Sequence, residues 1–344
     1  MNKWLTKLVW ALLGAGLLVG MAGGVGWAKN PQNVVYVIGD SLSDPGNLFA
    51  LTGGWPPSPP YAQRNCNGPV WPEYLADSMG ITVDSRAYGG AFSGVLLHEG
   101  VPVSNFNSVQ NPPAIADLPG VYEEVEALLD ENPDGLNPRA LYVVWAGAND
   151  FFLGLLQDQL YPQQGKLQLA LAQAIENISE TVCKLGAAGA RHFAVGNLPD
   201  IGMTPFARAL DSATQAALSQ AIVQFNAALE MALLDLQPSC AETLVVFDAY
   251  QMLQDINSDP AVYGLINVTD ACLNFPAGMP PMVCANPAEY MFWDSVHPTT
   301  AVQAILADKF RSAFCATGEV NPGLRGRTTV KPPAAWRGVC FGTK

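Results

Sequence analysis

The sequence predicts a three-layer α/β/α fold built on a five-stranded parallel sheet. Two observations carry this expectation. Five short runs, at 34–38, 81–83, 141–145, 192–195 and 244–247, are apolar almost throughout and rich in β-branched or aromatic residues. Strands covered on both faces have that composition. Between the runs lie stretches with apolar residues at helical spacing, so helices return the chain to the same edge before each new strand.

Taken in order, the first residues read as an export signal. Lys3 and Lys7 precede an apolar run at 8–20, and Gly26 and Ala28 stand at the −3 and −1 positions of a cleavage site. The run is shorter than the ~20 residues of a membrane span, and an uncleaved anchor is the alternative reading of 1–28. The first strand, 34–38, ends in Gly39-Asp40-Ser41. A helix at 71–79 precedes the second strand, and one at 122–130 precedes the third. The amphipathic stretch 167–185, ended by the region of Gly186 and Gly189, precedes the fourth. A helix at 213–236 precedes the fifth, and a last helix at 300–314 closes a domain that spans 29–315. No repeat or linker divides that domain. Residues 316–344 are rich in Gly and Pro, carry five basic residues against one acid, and are expected to form a poorly ordered tail.

Charge narrows the partners. Of 17 basic residues, removal of Lys3 and Lys7 with the signal leaves 15 against 30 acidic, a net charge of −15. Such a surface repels nucleic acid and anionic membranes. No stretch after the signal is long and apolar enough to suggest an integral membrane segment, so a secreted or periplasmic, monomeric protein is expected. Seven cysteines in an exported chain imply disulfides with one thiol left over. Cys272 and Cys284 enclose a proline-rich stretch without helical or strand pattern, and a bridge between them would brace the segment leading to 294–297. Cys183 with Cys240 is a second candidate pair, and Cys315 with Cys340 would pin the tail. No cysteine or histidine spacing fits zinc, and no cofactor is expected.

The residues that carry chemistry follow strand ends or lie in loops, where ligands of parallel α/β sheets bind. Serine needs a base to take its proton and a carboxylate to orient that base. Ser41 follows the first strand. Of three histidines, His98 lies in a Gly-rich loop and His192 opens a strand, whereas His297 precedes the last helix with Asp294 three residues before it. Donors for a developing oxyanion have two sources. Tyr88-Gly89-Gly90-Ala91 follows the second strand, and Gly147-Ala148-Asn149-Asp150 follows the third. Each segment alone has an ordinary reading, as a helix cap, a tight turn or an Asx turn.

Together, and in this order, the segments Gly39-Asp40-Ser41-Leu42-Ser43-Asp44, Gly89-Gly90-Ala91, Gly147-Ala148-Asn149-Asp150 and Asp294-Ser295-Val296-His297-Pro298 resemble the four blocks of the GDSL, or SGNH, hydrolase superfamily, in its lipase-like branch. The stretches 67–76 and 196–202 add to the likeness, which runs from about 34 to 314. The resemblance implies a flavodoxin-like SGNH hydrolase fold and a serine ester hydrolase. Ser41 would be the nucleophile, His297 the general base and Asp294 its orienting acid. The N–H groups of Ser41 and Gly90, with the Asn149 side chain, would form the oxyanion hole. Ser85 stands where the second block usually opens with Asn, which leaves the choice between Gly89 and Gly90 open.

The expected substrate is a small-molecule or lipid ester with a carboxylic acyl group. Removal of acetyl groups from polysaccharide is an alternative, and a non-catalytic binding protein on the same scaffold is a second class. The aromatic and proline-rich loop at 55–61, with Phe49, offers either an acyl groove or ordinary loop packing.

Overall fold

The structure is a computed structural model that describes residues 33–98, 100–110, 118–161, 163–315 and 336–341. The expected signal at 1–28 lies outside the described residues. β1 (Val34–Gly39) leads through α1 (Asn47–Thr52) and a long loop to α2 (Trp71–Met79) and β2 (Thr82–Ser85). A hairpin of β3 (Ala91–His98) and β4 (Val101–Asn105) follows, then α3 (Phe106–Gln110), α4 (Val121–Asp130) and β5 (Leu141–Trp145). Next come α5 (Ala148–Leu160), α6 (Lys166–Ala187), β6 (His192–Gly196), α7 (Pro205–Arg208), α8 (Ser212–Cys240), β7 (Thr243–Phe247) and α9 (Ala249–Ser258). The chain then forms β8 (Asn267–Ala271), β9 (Leu273–Asn274), β10 (Met282–Val283) and β11 (Tyr290–Phe292), with β8 paired to β11 and β9 to β10. α10 (Thr300–Cys315) and α11 (Arg337–Phe341) complete the described chain.

The main sheet has five strands in the order β2-β1-β5-β6-β7, every neighbouring pair parallel. This is the flavodoxin-like order, in which strand order reverses beside the first strand. Because side chains alternate across a strand, each strand feeds two cores. Tyr142, Val144, Phe193, Val195, Leu244 and Val246 face one way, against α4, α6 and α8. Val35, Val37, Leu141, Val143, Ala194 and Val245 face the other, against α2, α9 and α10.

One expectation needs correction. By length and composition α8, 29 residues, is apolar enough to cross a membrane. Much of this apolarity comes from alanines, which form no continuous run of large apolar side chains in the sequence. The helix packs Leu218, Ile222, Phe225, Leu229 and Leu233 into the first core, at the spacing of a core helix of a globular domain.

Disulfides join Cys183 to Cys240, Cys272 to Cys284 and Cys315 to Cys340. Cys66 is a free, buried thiol. Most of the stretch 316–344 lies outside the described residues, which include Trp336 and α11. Trp336 is fully buried, stacks edge-on against Phe314 at 5.4 Å, and donates its indole N–H to Arg139 O at 2.9 Å. A basic, Gly- and Pro-rich composition hides a single large aromatic with a site to fill. Replacing it leaves a cavity where the indole packs, so Trp336→Ala is expected to lower stability by roughly 3–5 kcal/mol. Urea unfolding measures this, and a loss below about 1 kcal/mol would mean that the anchor is not part of the core.

Candidate active site

The turn after β1 begins with a close approach between strands. A Cβ on Gly39 would stand 2.2 Å from Trp145 O, so only glycine lets β1 and β5 lie together here. The chain then reverses through a Ser43 N–H to Asp40 O bond of 3.0 Å, while Asp40 Oδ1 accepts from Leu42 N at 3.1 Å. Ser41 sits on this turn, at the carboxyl end of the sheet.

Buried carboxylates hold the surrounding backbone. Asp44 accepts from the N–H groups of Gly46, Asn47, Leu48 and Gly89 at 2.7, 2.6, 3.2 and 2.8 Å. Glu124, on α4, accepts from Gly39 N at 2.8 Å and Tyr88 N at 3.2 Å, joining the end of β1 to the loop after β2. Burial pushes Glu124 well above the ordinary carboxyl range and Asp40 up to about 7. Asp150 accepts from both the N–H and the hydroxyl of Ser93, and burial raises its carboxyl to about 6.

His297 reaches Ser41 from the loop between β11 and α10. Asp294 Oδ1 accepts from Val296 N at 2.9 Å and His297 N at 2.8 Å, which curls the loop back on itself. Asp294 Oδ2 lies 2.8 Å from His297 Nδ1, and His297 Nε2 lies 2.9 Å from Ser41 Oγ. An Nδ1–H donated to the carboxylate selects the tautomer whose Nε2 accepts the serine proton. Tyr61 donates its hydroxyl to the same Asp294 Oδ2 at 2.8 Å. The loop closed by Cys272–Cys284 bonds the strand just before Asp294, through Cys272 N to Phe292 O at 3.0 Å and Leu273 N to Trp293 O at 2.6 Å.

Burial opposes charge on both partners, and their contact decides the outcome. The His297 imidazole is pushed down by burial but raised further by Asp294 and Asp40, to above its ordinary value. Burial likewise pushes Asp294 up, but His297 and the two backbone N–H groups bring it below the ordinary range.

Ser41 and His297 border a cavity of about 530 Å³, together with Gly90 and Asn149. Gly90 adopts φ +86°, and its N–H has no partner among the described residues, whereas the Gly89 N–H is held by Asp44. Asn149, in the first turn of α5, donates one amide hydrogen to Ala91 O at 3.0 Å. The rest of the lining is mainly apolar, with Phe152, Leu155 and Leu156 of α5 beside Phe106, Ile201 and Phe206, and with Gln110, Gln159 and Thr204 as polar members. Trp55 joins this lining, the one residue of the 55–61 loop that does, and Phe49 does not. Among the described residues no group of His, Cys, Asp or Glu side chains has the arrangement of a metal site.

Residues 35–310 match the sequence profile of the GDSL-like Lipase/Acylhydrolase family. The chain belongs to that family. It is thereby a carboxylic ester hydrolase of the GDSL esterase/lipase type. It is 27% identical to phosphatidylcholine-sterol acyltransferase of Aeromonas hydrophila, over 80% of this chain and 88% of that protein. GDSL esterase/lipase APG of Arabidopsis thaliana is 26% identical, over 79% of this chain and 88% of the relative. Among solved structures, a lipase from a goat rumen metagenome, Lip_vut3, aligns with a TM-score of 0.41 and 15% identity, over 81% of this chain and 96% of that one.

The five residues singled out from the sequence thus border one cavity or bond directly to a residue that does. Sequence reasoning missed Tyr61, Glu124 and the apolar face of α5. Tyr61 and Glu124 act across 233 and 85 residues of chain, and no local pattern marks them. The measurement that tests the His297 environment is an NMR titration of its ring. A midpoint above ~6.5 is expected, because the charged ring gains Asp294. In Asp294→Asn that gain goes while burial remains, so the midpoint should fall below the parent value. An unchanged midpoint would mean that the contact does not set the titration.

Proposed function

We propose that the protein hydrolyses carboxylic esters with an extended apolar acyl chain through an acyl-enzyme at Ser41. The observation that carries this reading is the 2.9 Å contact of Ser41 Oγ with His297 Nε2 at the border of a mainly apolar cavity. Ser41 Oγ attacks the ester carbonyl as His297 takes its proton, and the carbonyl oxygen becomes an oxyanion. The N–H groups of Ser41 and Gly90 and the Asn149 amide meet that charge. When the intermediate collapses, the C–O bond to the alcohol breaks and His297 returns the proton to the leaving oxygen. Water then attacks the acyl-enzyme with His297 again as base, releasing the acid and restoring Ser41. Asp294 stabilises the imidazolium at each stage, and Tyr61 holds Asp294 in place for it.

The lining supports acyl lipids over acetylated polysaccharide. An acetyl group would leave most of a cavity of about 530 Å³ unfilled, and its walls offer a chain apolar surface. The Aeromonas relative, named for a phosphatidylcholine substrate, points the same way. Three disulfides fit an oxidising compartment, so the mature enzyme is assigned to the secreted or periplasmic space.

A fluorophosphonate probe should label Ser41 alone, and Ser41→Ala should abolish both labelling and turnover. Labelling that survives this substitution would refute the nucleophile. Asn149→Ala should lower kcat by roughly 10²–10³ if its amide meets the oxyanion. A loss under tenfold would leave it a structural role. kcat/KM should rise with pH as His297 loses its proton, with a midpoint above ~6.5, and a flat profile from pH 5 to 8 would exclude this base.

Chain-length preference is tested with p-nitrophenyl esters of increasing length beside acetylated xylan. Longer acyl groups should exceed acetate in kcat/KM. Leu155→Trp, which fills the cavity, should move the preference toward short chains by about tenfold or more. Faster turnover of acetylated xylan than of any longer ester would overturn the acyl-lipid reading.

A further inference from the structure

We infer that Asn105 and Asn107, at the end of the β3–β4 hairpin, are positioning residues that aim the Gly90 N–H into the cavity. This rests on the reading of that N–H as an oxyanion donor, and it assigns the groups that hold it there.

Tyr88-Gly89-Gly90-Ala91 forms a β-turn closed by Ala91 N–H to Tyr88 O at 3.1 Å. The φ of +86° at Gly90, its third position, is that of a type II turn. Types I and II differ by a rotation of the central peptide through about half a turn, with the ends of the turn nearly unmoved. Here that central peptide joins Gly89 to Gly90. In a trans peptide the carbonyl and the N–H point to opposite sides. Whichever side takes the Gly89 carbonyl therefore decides where the Gly90 N–H points. Two glycines at the central positions leave the alternatives close in intrinsic energy.

The structure settles the choice from outside the turn. Gly89 O accepts two amide donors, Asn105 Nδ2 at 2.9 Å and Asn107 Nδ2 at 2.8 Å. Asn105 is itself fully buried. It gives Nδ2 also to Pro119 O at 2.8 Å and takes Asn107 N–H on Oδ1 at 2.9 Å. The flanking groups are occupied as well: Gly89 N–H by Asp44 at 2.8 Å, and Gly90 O by Phe106 N–H at 2.5 Å. Of the four backbone polar groups of Gly89 and Gly90, the Gly90 N–H alone has no partner among the described residues, and Gly90 borders the cavity. The space a Gly90 Cβ would need is taken: it would stand 2.5 Å from both Asn105 Oδ1 and Asn107 Nδ2, and Asn107 itself borders the cavity beside Gly90.

Without the two donors the peptide is free to rotate. The N–H would then leave the oxyanion, and the Gly89 carbonyl would turn its negative end toward it. The loss would fall on the transition state, where the oxyanion exists, and spare the bound ester. A residue that only supports folding would give a different signature.

The test uses the full chain with Asn107→Ala and Asn107→Asp. The aspartate keeps the shape of the side chain and faces Gly89 O with an acceptor in place of a donor. Asn107→Ala should lower kcat for a p-nitrophenyl ester by about tenfold or more. Asn107→Asp should lower it further, toward the roughly 10²–10³ of a lost oxyanion donor. KM and Tm should stay near the parent values. Fluorophosphonate labelling of Ser41 should slow in step with kcat, because its phosphoryl oxygen gathers charge at the same place. A kcat within threefold of the parent in both variants would overturn the assignment. So would a loss explained by a rise in KM or by unfolding. Turnover that persists in Ser41→Ala would instead refute the hydrolytic reading itself, so the two failures are distinguishable.

Discussion

β1 has neighbours reached from opposite directions, and the arrangement of the site depends on this. From its end the chain turns one way to reach β2 and later crosses to the other side to enter β5. The loops after these three strands therefore diverge around a crevice above β1 and do not cover it. Ser41 and Gly90 lie on the first two of those loops, and Asn149 opens α5 directly after the third. The contact between Gly39 and Trp145 keeps the strands near enough for the three to face one cavity. His297 arrives from the far end of the sequence and closes the arrangement.

The loops at this edge are held mainly by carboxylates that accept backbone N–H groups. Asp44, Glu124, Asp150 and Asp294 all do so while buried, and among the described residues none of them bonds to Arg or Lys. Such bonds fix backbone direction closely, and burial sets an electrostatic cost against them. The two signs of pKa shift divide the pH scale. A carboxyl raised to about 7, as at Asp40, binds its proton more tightly in the folded chain. It therefore favours the native state below the unfolded value near ~4, and that advantage is lost as pH rises to about 7. Asp294, whose folded value is depressed, contributes above the unfolded value and loses its contribution as pH falls through the folded one.

Strands and most helices were legible because their signals are local. The run at 141–145 and the helix at 71–79 coincide with β5 and α2. The helix read at 213–236 continues through Pro238 to Cys240, whose disulfide partner Cys183 lies near the end of α6. The β3–β4 hairpin was not read. Gly94 interrupts it, and its burial pattern, four buried positions before any alternation, follows neither strand period. Placing His98 in a loop was the consequence. For the site, motif order brought out Ser41, Asp294 and His297. The donors that direct the Gly89–Gly90 peptide could not be read, since an asparagine that bonds a distant carbonyl looks like any loop asparagine.

The anchor at Trp336 also fixes which way the described end of the chain faces. Its indole reaches the carbonyl of Arg139, just before β5 begins, at the amino end of the sheet. The cavity lies past the carboxyl end of the same strand, with five residues, about 16 Å of extended chain, between the two edges. A solid support or fused module attached near α11 would therefore sit across the sheet from the cavity mouth. That makes this end the better point for immobilising the enzyme while leaving ester entry unobstructed.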